Sequence, residues 1–225
     1  PIALIGLDGA TWDVIDPLLA QGKLPNLALL MERGAYGRVN TLPGHTSPAL
    51  WTSILTGKLP AKHGVHDFYT ASGHNVRTKL IYEIVAQDDP VGLFQMYASR
   101  RPDHVSSFVV PSRVGFSAEA YPRDLAMLVD LGQPDSPRDQ FLKSYRLVRL
   151  GVPIPVILQA AWMSLKWSIG KGKDLPVWRY QSALSGQRIR AYVAARLIRN
   201  RRPAFSLSLF YPLDHLGHYF WRYRE

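Results

Sequence analysis

The 225-residue chain contains no cysteine. That absence excludes disulfide staples, thiolate zinc sites and a cysteine nucleophile, and it is compatible with a reducing compartment. Acidic residues are scarce beside basic ones, with 17 Asp and Glu against 27 Lys and Arg and a formal charge of +10. Such a balance favours anionic partners (phosphorylated small molecules, nucleic acid, acidic membrane surfaces) without choosing among them. No apolar run reaches the roughly 20 residues of a spanning helix. The nearest, "VPIPVILQAAWMSLKWSI" at 152–169, is interrupted by Pro153, Pro155, Gln159 and Lys166. It reads as a buried or subunit-facing helix, with peripheral membrane contact left open by Trp162, Trp167 and nearby lysines. Nucleotide fingerprints are missing too: "GLDG" lacks the G-x-G-x-x-G spacing, and "GKGKDL" lacks the G-K-[ST] of a P-loop. The opening Pro1-Ile2-Ala3-Leu4-Ile5 has no basic region of a secretory signal, which makes a cytoplasmic location the expectation. There is no initiator methionine, and "HYFWRYRE" stops inside a helix-like pattern, so the chain reads as a fragment.

What is present is an ordinary globular composition, 47% hydrophobic and 20% charged. "IALIGL" (2–7) is an apolar run ending in Asp8-Gly9, as expected of a buried parallel strand followed by a turn. "LPNLALLMERG" predicts a helix closed by Gly34, "YGRVNTL" a second strand, "TKLIYEIVAQ" a helix and "VGLFQMY" a strand. Alternation of this kind predicts an α/β fold with a mainly parallel sheet. From about residue 96 the character changes. "RPDHVSSFVVPSRVGFSAEAYP" reads as loop-rich, helical segments follow around 121–131, 136–149, 155–169 and 178–199, and "AFSLSLFYPLD" returns to a strand ending in a carboxylate. The expected organisation is a core of residues 1–95 and 203–225 interrupted by a mostly helical insertion, 96–202.

Ligand sites of open α/β sheets gather beyond the carboxyl ends of the strands. Asp8 follows the first strand, Ser47 the connection after the second, and Asp214 follows "FSLSLFY", with His218 four residues on. Ser47 before Pro48, with Gly57 nine residues after Pro48, reads as a capped helix: Ser at the N-cap, Pro at N1, Gly at the stop. A cap is the simplest reading. The same geometry also points backbone N–H groups and the positive end of the helix dipole at the hydroxyl, where a phosphate could bind and be attacked. A serine nucleophile needs a base or a metal. His45 is adjacent in the chain and reads as a loop histidine, so a metal is the better candidate. Divalent ions lower the pKa of a bound oxygen nucleophile steeply, zinc taking water from about 15.7 to about 7. Asp8 could hold one ion with Ser47, while Asp214 and His218 offer oxygen and nitrogen ligands suited to zinc or manganese. Alone, "DHLGH" is equally a satisfied aspartate beside a surface histidine. "RIRAYVAARLIRNRRP" (188–203) reads as a solvated basic face, since no aromatic interleaving supports base stacking.

Taken together, "GLDGATWDVIDPLL…GKLPNLALLMERGAYGRV", "TSPALWTSILTGKLPAKHGVHDF" and "YPLDHLGHYFWRY" resemble the type I phosphodiesterase/nucleotide pyrophosphatase family of the alkaline phosphatase superfamily. The likeness spans roughly residues 2–70 and 203–224, and continues more loosely through "FVVPS" and "AYPRDL". The resemblance implies an alkaline phosphatase-like α/β core and two divalent metals, zinc or else manganese, bridged by the phosphate of a small-molecule substrate. It also implies a hydroxyl that becomes transiently phosphorylated. By position, Asp8 matches the metal ligand after the first strand, and Ser47 the nucleophile, which is itself a ligand. Thr46 stands beside it as a substrate-binding candidate. Asp214 and His218 match ligands of the other metal. "KHGVHDF" matches a structural turn, giving His63, His66 and Asp67 packing roles. In such enzymes an Asp-His-Gly segment and a further histidine complete the second site. Neither occurs before Glu225, so a C-terminally truncated form is expected, with that site incomplete, a free sheet edge and no turnover. The rival expectations are a phosphomonoesterase, phosphomutase or sulfatase of the same superfamily, or a non-catalytic basic protein that docks anions or membrane. Nucleic acid is not an expected partner.

Overall fold

The computed structural model describes residues 1–102, 106–112, 119–129, 137–169 and 175–221. Its centre is a parallel sheet of four strands in the order β1-β4-β2-β3. The strands are β1 (Ile2–Leu7), β2 (Val91–Phe94), β3 (Ser106–Val110) and β4 (Phe205–Phe210). β4 pairs on one side with β1, in a register running from Ile2 opposite Phe205 to Leu7 opposite Phe210, and on the other with β2. Of the two central strands, β2 is an apolar run, while β4 alternates Phe and Leu with the buried Ser206 and Ser208. Successive side chains pass to opposite faces: Leu93 joins a core cluster with Leu55, Val65 and Tyr82, while Phe94 joins one with Phe108, Leu128 and Val193. β1 is different. Among the described residues it pairs with β4 alone, and Ile2 and Ile5 are 67% and 64% exposed.

The helices are α1 (Trp12–Ala20), α2 (Pro25–Arg33), α3 (Ser47–Thr56), α4 (Pro60–His63), α5 (Ile81–Val85), α6 (Pro137–Arg149), α7 (Ile154–Ile169), α8 (Leu175–Arg201) and α9 (Pro212–Phe220). α3 ends where the sequence predicts, at Gly57, whose φ of 63° is left-handed and whose N–H donates to the Ser53 carbonyl at 2.8 Å. α8 is tied back to the sheet side: Arg201 donates to the Ser107 carbonyl, and the buried Arg190 to the Leu128 carbonyl.

Three expectations need correction. Residues 36–42 form no strand: Tyr36 and Val39 are 67% and 94% exposed, so the apolar residues there find no core to pack on. The stretch read as loop-rich contains β3, because Phe108, Val109 and Val110 carry enough apolar surface to form the sheet's outer strand beside β2. Of the segment read as helical around 121–131, the described residues 121–129 hold a 3-10 turn, Arg123–Leu128, which starts after Pro122, and no α-helix. By contrast, the helices expected around 136–149, 155–169 and 178–199 correspond to α6, α7 and α8 within a turn at each end.

Candidate active site

β1 delivers Asp8 to the carboxyl rim of the sheet, where its N–H extends the strand pairing by donating to the Phe210 carbonyl at 2.8 Å. The next residue, Gly9, has a φ of 75°, and a Cβ placed there would stand 2.5 Å from the backbone of Asp214. A residue with a side chain would therefore force the start of α9 away from the exit of β1. This close approach brings the segment carrying Asp214 beside Asp8.

The mouth of α3 supplies the hydroxyl, though not as a cap. Thr46 is the N-cap residue and its carbonyl accepts from the Leu50 N–H at 3.1 Å, so Ser47 is already inside the first turn and Pro48 follows it. Neither hydroxyl caps the helix. The placement of Ser47 at the N-cap is thus corrected by one residue: its Oγ donates instead to Asp8 Oδ1 at 3.2 Å, across 39 residues of chain. Thr46 Oγ1 is buried and has no hydrogen-bond partner among the described residues.

Two further groups converge on the same carboxylate. Trp51, one helical turn beyond Ser47, donates its indole N–H to Asp8 Oδ1 at 3.1 Å, and the Tyr97 hydroxyl donates to Oδ2 at 3.3 Å. The indole fits because position 6 is glycine; a Cβ there would lie 2.5 Å from the Trp51 ring. Tyr97 is wedged between aromatic rings, Tyr211 at 5.1 Å and Phe68 at 6.1 Å. Its backbone leaves β2 through left-handed conformations at Gln95 (φ 59°) and Ala98 (φ 46°), uncommon for residues with side chains. The surroundings hold this bend: the Tyr211 hydroxyl donates to the Gln95 carbonyl. Trp51 was readable in the sequence as the i+4 neighbour of Ser47 on one helix face. Tyr97 carries no local signal of this role, since it meets Asp8 only through the order of the strands.

Asp8 is buried, and its carboxyl is pushed above the usual carboxylate range. Burial is the main cause; the Trp51 hydrogen bond opposes it, and the negative charge of Asp214 adds to it. The Tyr97 phenol is pushed strongly up by burial and then by Tyr211 and Asp8, so it stays a protonated donor. Asp214 and His218 both lie on α9, where His218 Nε2 is 3.4 Å from Asp214 Oδ1 and the histidine side chain is 74% exposed. His45 stands apart in its loop, its Nδ1 3.0 Å from the Pro43 carbonyl. His63 is buried: Nδ1 accepts from the Val65 N–H at 3.1 Å, which leaves Nε2–H to donate to Ser53 Oγ at 2.9 Å. Asp67 ties the following turn by accepting from the N–H groups of Tyr69 and Thr70.

No group of three His, Asp or Glu side chains suited to a metal occurs among the described residues. The donor chemistry of the rim nevertheless fits a cation. Asp8 is a carboxylate whose charge is disfavoured by burial and by a second carboxylate, Asp214. A divalent ion held between them would relieve both effects.

A parallel sheet with helices on both faces, and a hydroxyl bonded to a carboxylate beyond its strand ends, places the molecule among α/β proteins whose ligand site lies at that rim. The chain belongs to the type I phosphodiesterase / nucleotide pyrophosphatase family, whose model matches residues 2–225. The architecture is accordingly an alkaline phosphatase-like α/β fold, and the family is one of phosphoester hydrolases that generally use divalent metals. No curated protein matches the chain.

Proposed function

We propose that the protein hydrolyses a phosphodiester or pyrophosphate bond of a small phosphorylated substrate, with Ser47 Oγ as the nucleophile. One observation carries this reading: the Ser47 hydroxyl is directed onto Asp8 Oδ1 at 3.2 Å rather than onto its own helix. In the forward step a bond forms between Ser47 Oγ and phosphorus as the bond from phosphorus to the departing oxygen breaks, and the Ser47 proton is held at Asp8 Oδ1. Water then displaces the serine oxygen from phosphorus, releasing phosphate or a phosphate monoester; Asp8 returns its proton to Ser47 Oγ, and a proton of the attacking water ends on the oxygen that departed in the first step. The first-turn N–H groups of α3 and the positive end of its dipole stabilise the non-bridging oxygens of the transferring group. Thr46 Oγ1, buried beside them, donates to one of those oxygens. Trp51 and Tyr97 fix the Asp8 carboxylate so that Ser47 is held in one orientation.

Asp8, Ser47, Asp214 and His218 are the groups that would hold the divalent metal, zinc or manganese. When bound, such an ion makes the nucleophile more acidic and neutralises charge developing on the ester. In this reading residues 1–95 and 203–225 make the catalytic core, to which residues 96–202 add the strand β3, and α6–α8 of that segment act as a cap that selects the leaving group. The test is hydrolysis of bis(p-nitrophenyl) phosphate with zinc or manganese supplied. Ser47→Ala should lower turnover by about a thousandfold or more while phosphate still binds. Retained turnover in that variant would remove Ser47 from its role, and turnover that no divalent ion stimulates would remove the metal.

A further inference from the structure

Helices α6 and α7 each bury one side and leave a second apolar side uncovered. In α6, Leu147 is buried while Leu142, Tyr145 and Val148 are 42%, 57% and 44% exposed. At about 100° per residue, Leu142 and Tyr145 fall on the side away from Leu147, with Val148 on the flank. In α7, Val156 and Ile157 are buried, whereas Ile154, Leu158 and Trp162 are 58%, 63% and 56% exposed. These three are spaced by four residues, so they form one continuous stripe facing away from the core. A helix that packs on a core from one side normally turns polar residues outward. Here the outward side of α7 is an apolar stripe ending in a tryptophan, and that of α6 mixes Leu142, Tyr145 and Val148 with Arg146 and Arg149.

Charge separates in the same place. Residues 137–202 hold 14 Lys and Arg against two Asp, whereas the remainder of the chain holds 13 basic and 15 acidic residues. The whole basic excess therefore lies in α6–α8 and their connections. Arg146 and Arg149 are exposed beside the α6 stripe.

We propose that the outward face of α6 and α7 seats on an anionic lipid surface. The leucines, Ile154, Tyr145 and Trp162 would enter the boundary between headgroups and acyl chains, and Arg146 and Arg149 would meet lipid phosphates. Aromatic side chains favour that boundary, and basic ones are drawn to anionic leaflets. Among the described residues no helix is long and apolar enough to cross a membrane, so the contact lies along the surface. A nucleic acid would use the arginines but leave the stripes in water. A second copy docking through this face would oppose one basic excess with another. The inference does not depend on Ser47 or on turnover.

The whole chain is sedimented with vesicles of phosphatidylcholine alone and with vesicles also containing phosphatidylglycerol. Binding is expected to the anionic vesicles only, and to weaken with added salt. Leu158→Glu combined with Trp162→Glu should lower the partition coefficient about tenfold or more with helicity unchanged by circular dichroism. Arg146→Gln and Arg149→Gln should each lower it about fivefold. Equal binding to both vesicle types, or to neither, overturns the proposal. So does a stripe variant that binds like the wild type, a dimer in light scattering that Leu158→Glu dissolves, or tighter binding to duplex DNA that Leu158→Glu leaves untouched. If the stripe variant loses helicity, the lipid comparison and the arginine variants decide.

Discussion

Asp8 and Asp214 follow the neighbouring strands β1 and β4, yet they are held in opposite ways. Asp8 is enclosed and accepts three hydrogen bonds from residues 39, 43 and 89 positions away. Asp214 is partly exposed on the first turn of α9, and its ring partner His218 stands in solvent 3.4 Å away. One half of the rim is therefore built into the core, while the other rides on a helix surface. The difference teaches that organisation at this rim is set by packing around β1 and α3, whereas α9 presents its groups from a partly exposed helix face.

The sharpest way to break the comparison is Asp8→Asn. Hydrolysis should fall about a thousandfold or more. The folded pKa of Asp8 lies above its unfolded value of 3.8, so ionisation opposes folding at every pH above that range. The amide should therefore raise the melting temperature, as read by thermal scans at neutral pH. A variant both inactive and less stable would contradict this account of Asp8. On the other half, His218→Ala should lower turnover about 10- to 100-fold, be partly rescued by excess metal, and change stability by less than about 0.5 kcal/mol. Failure of added metal to restore any activity would count against a ligand role.

The supports of Asp8 come next. Trp51→Phe keeps the ring and removes the N–H; losing a hydrogen bond to a charged group of about 1.5 kcal/mol should lower kcat about tenfold with KM little changed. Tyr97→Phe, which removes the longer 3.3 Å bond, should cost less. A pure KM effect in either would assign the side chain to substrate contact instead. The smallest effect concerns the turn after α3. Burial, then the neighbouring His66, holds the pKa of His63 below its ordinary 6.5. The unfolded chain consequently takes up this proton first, so the contribution of neutral His63 is complete above pH 6.5 and is lost as the pH falls through the folded value. Urea midpoints should drop as the pH is lowered through 6.5, and His63→Gln should flatten that drop.

Much of this arrangement was legible from residue order. β1, β2 and β4 are apolar runs with a carboxylate, a turn or both at their ends, and such strands can be read without a partner. β3 was hidden because "SSFVV" is short, half polar and set among loop residues; its strand state comes from β2, not from its own pattern. The reverse error occurred at 36–42, read as a strand, where Tyr36 and Val39 stay exposed and no strand forms. At the rim, strand ends pointed to Asp8 and Asp214, and the Ser-Pro pair to the mouth of α3. The sequence could not say whether Ser47 would bond its helix or a distant carboxylate. That choice depends on how α3 lies across β1, which Gly6 permits by leaving room for Trp51.

A methyl group at position 9 would act as a shim between β1 and α9. The gap between the end of β1 and the start of α9 is thus set by a hydrogen atom where other residues carry carbon, and any residue but glycine would force it wider.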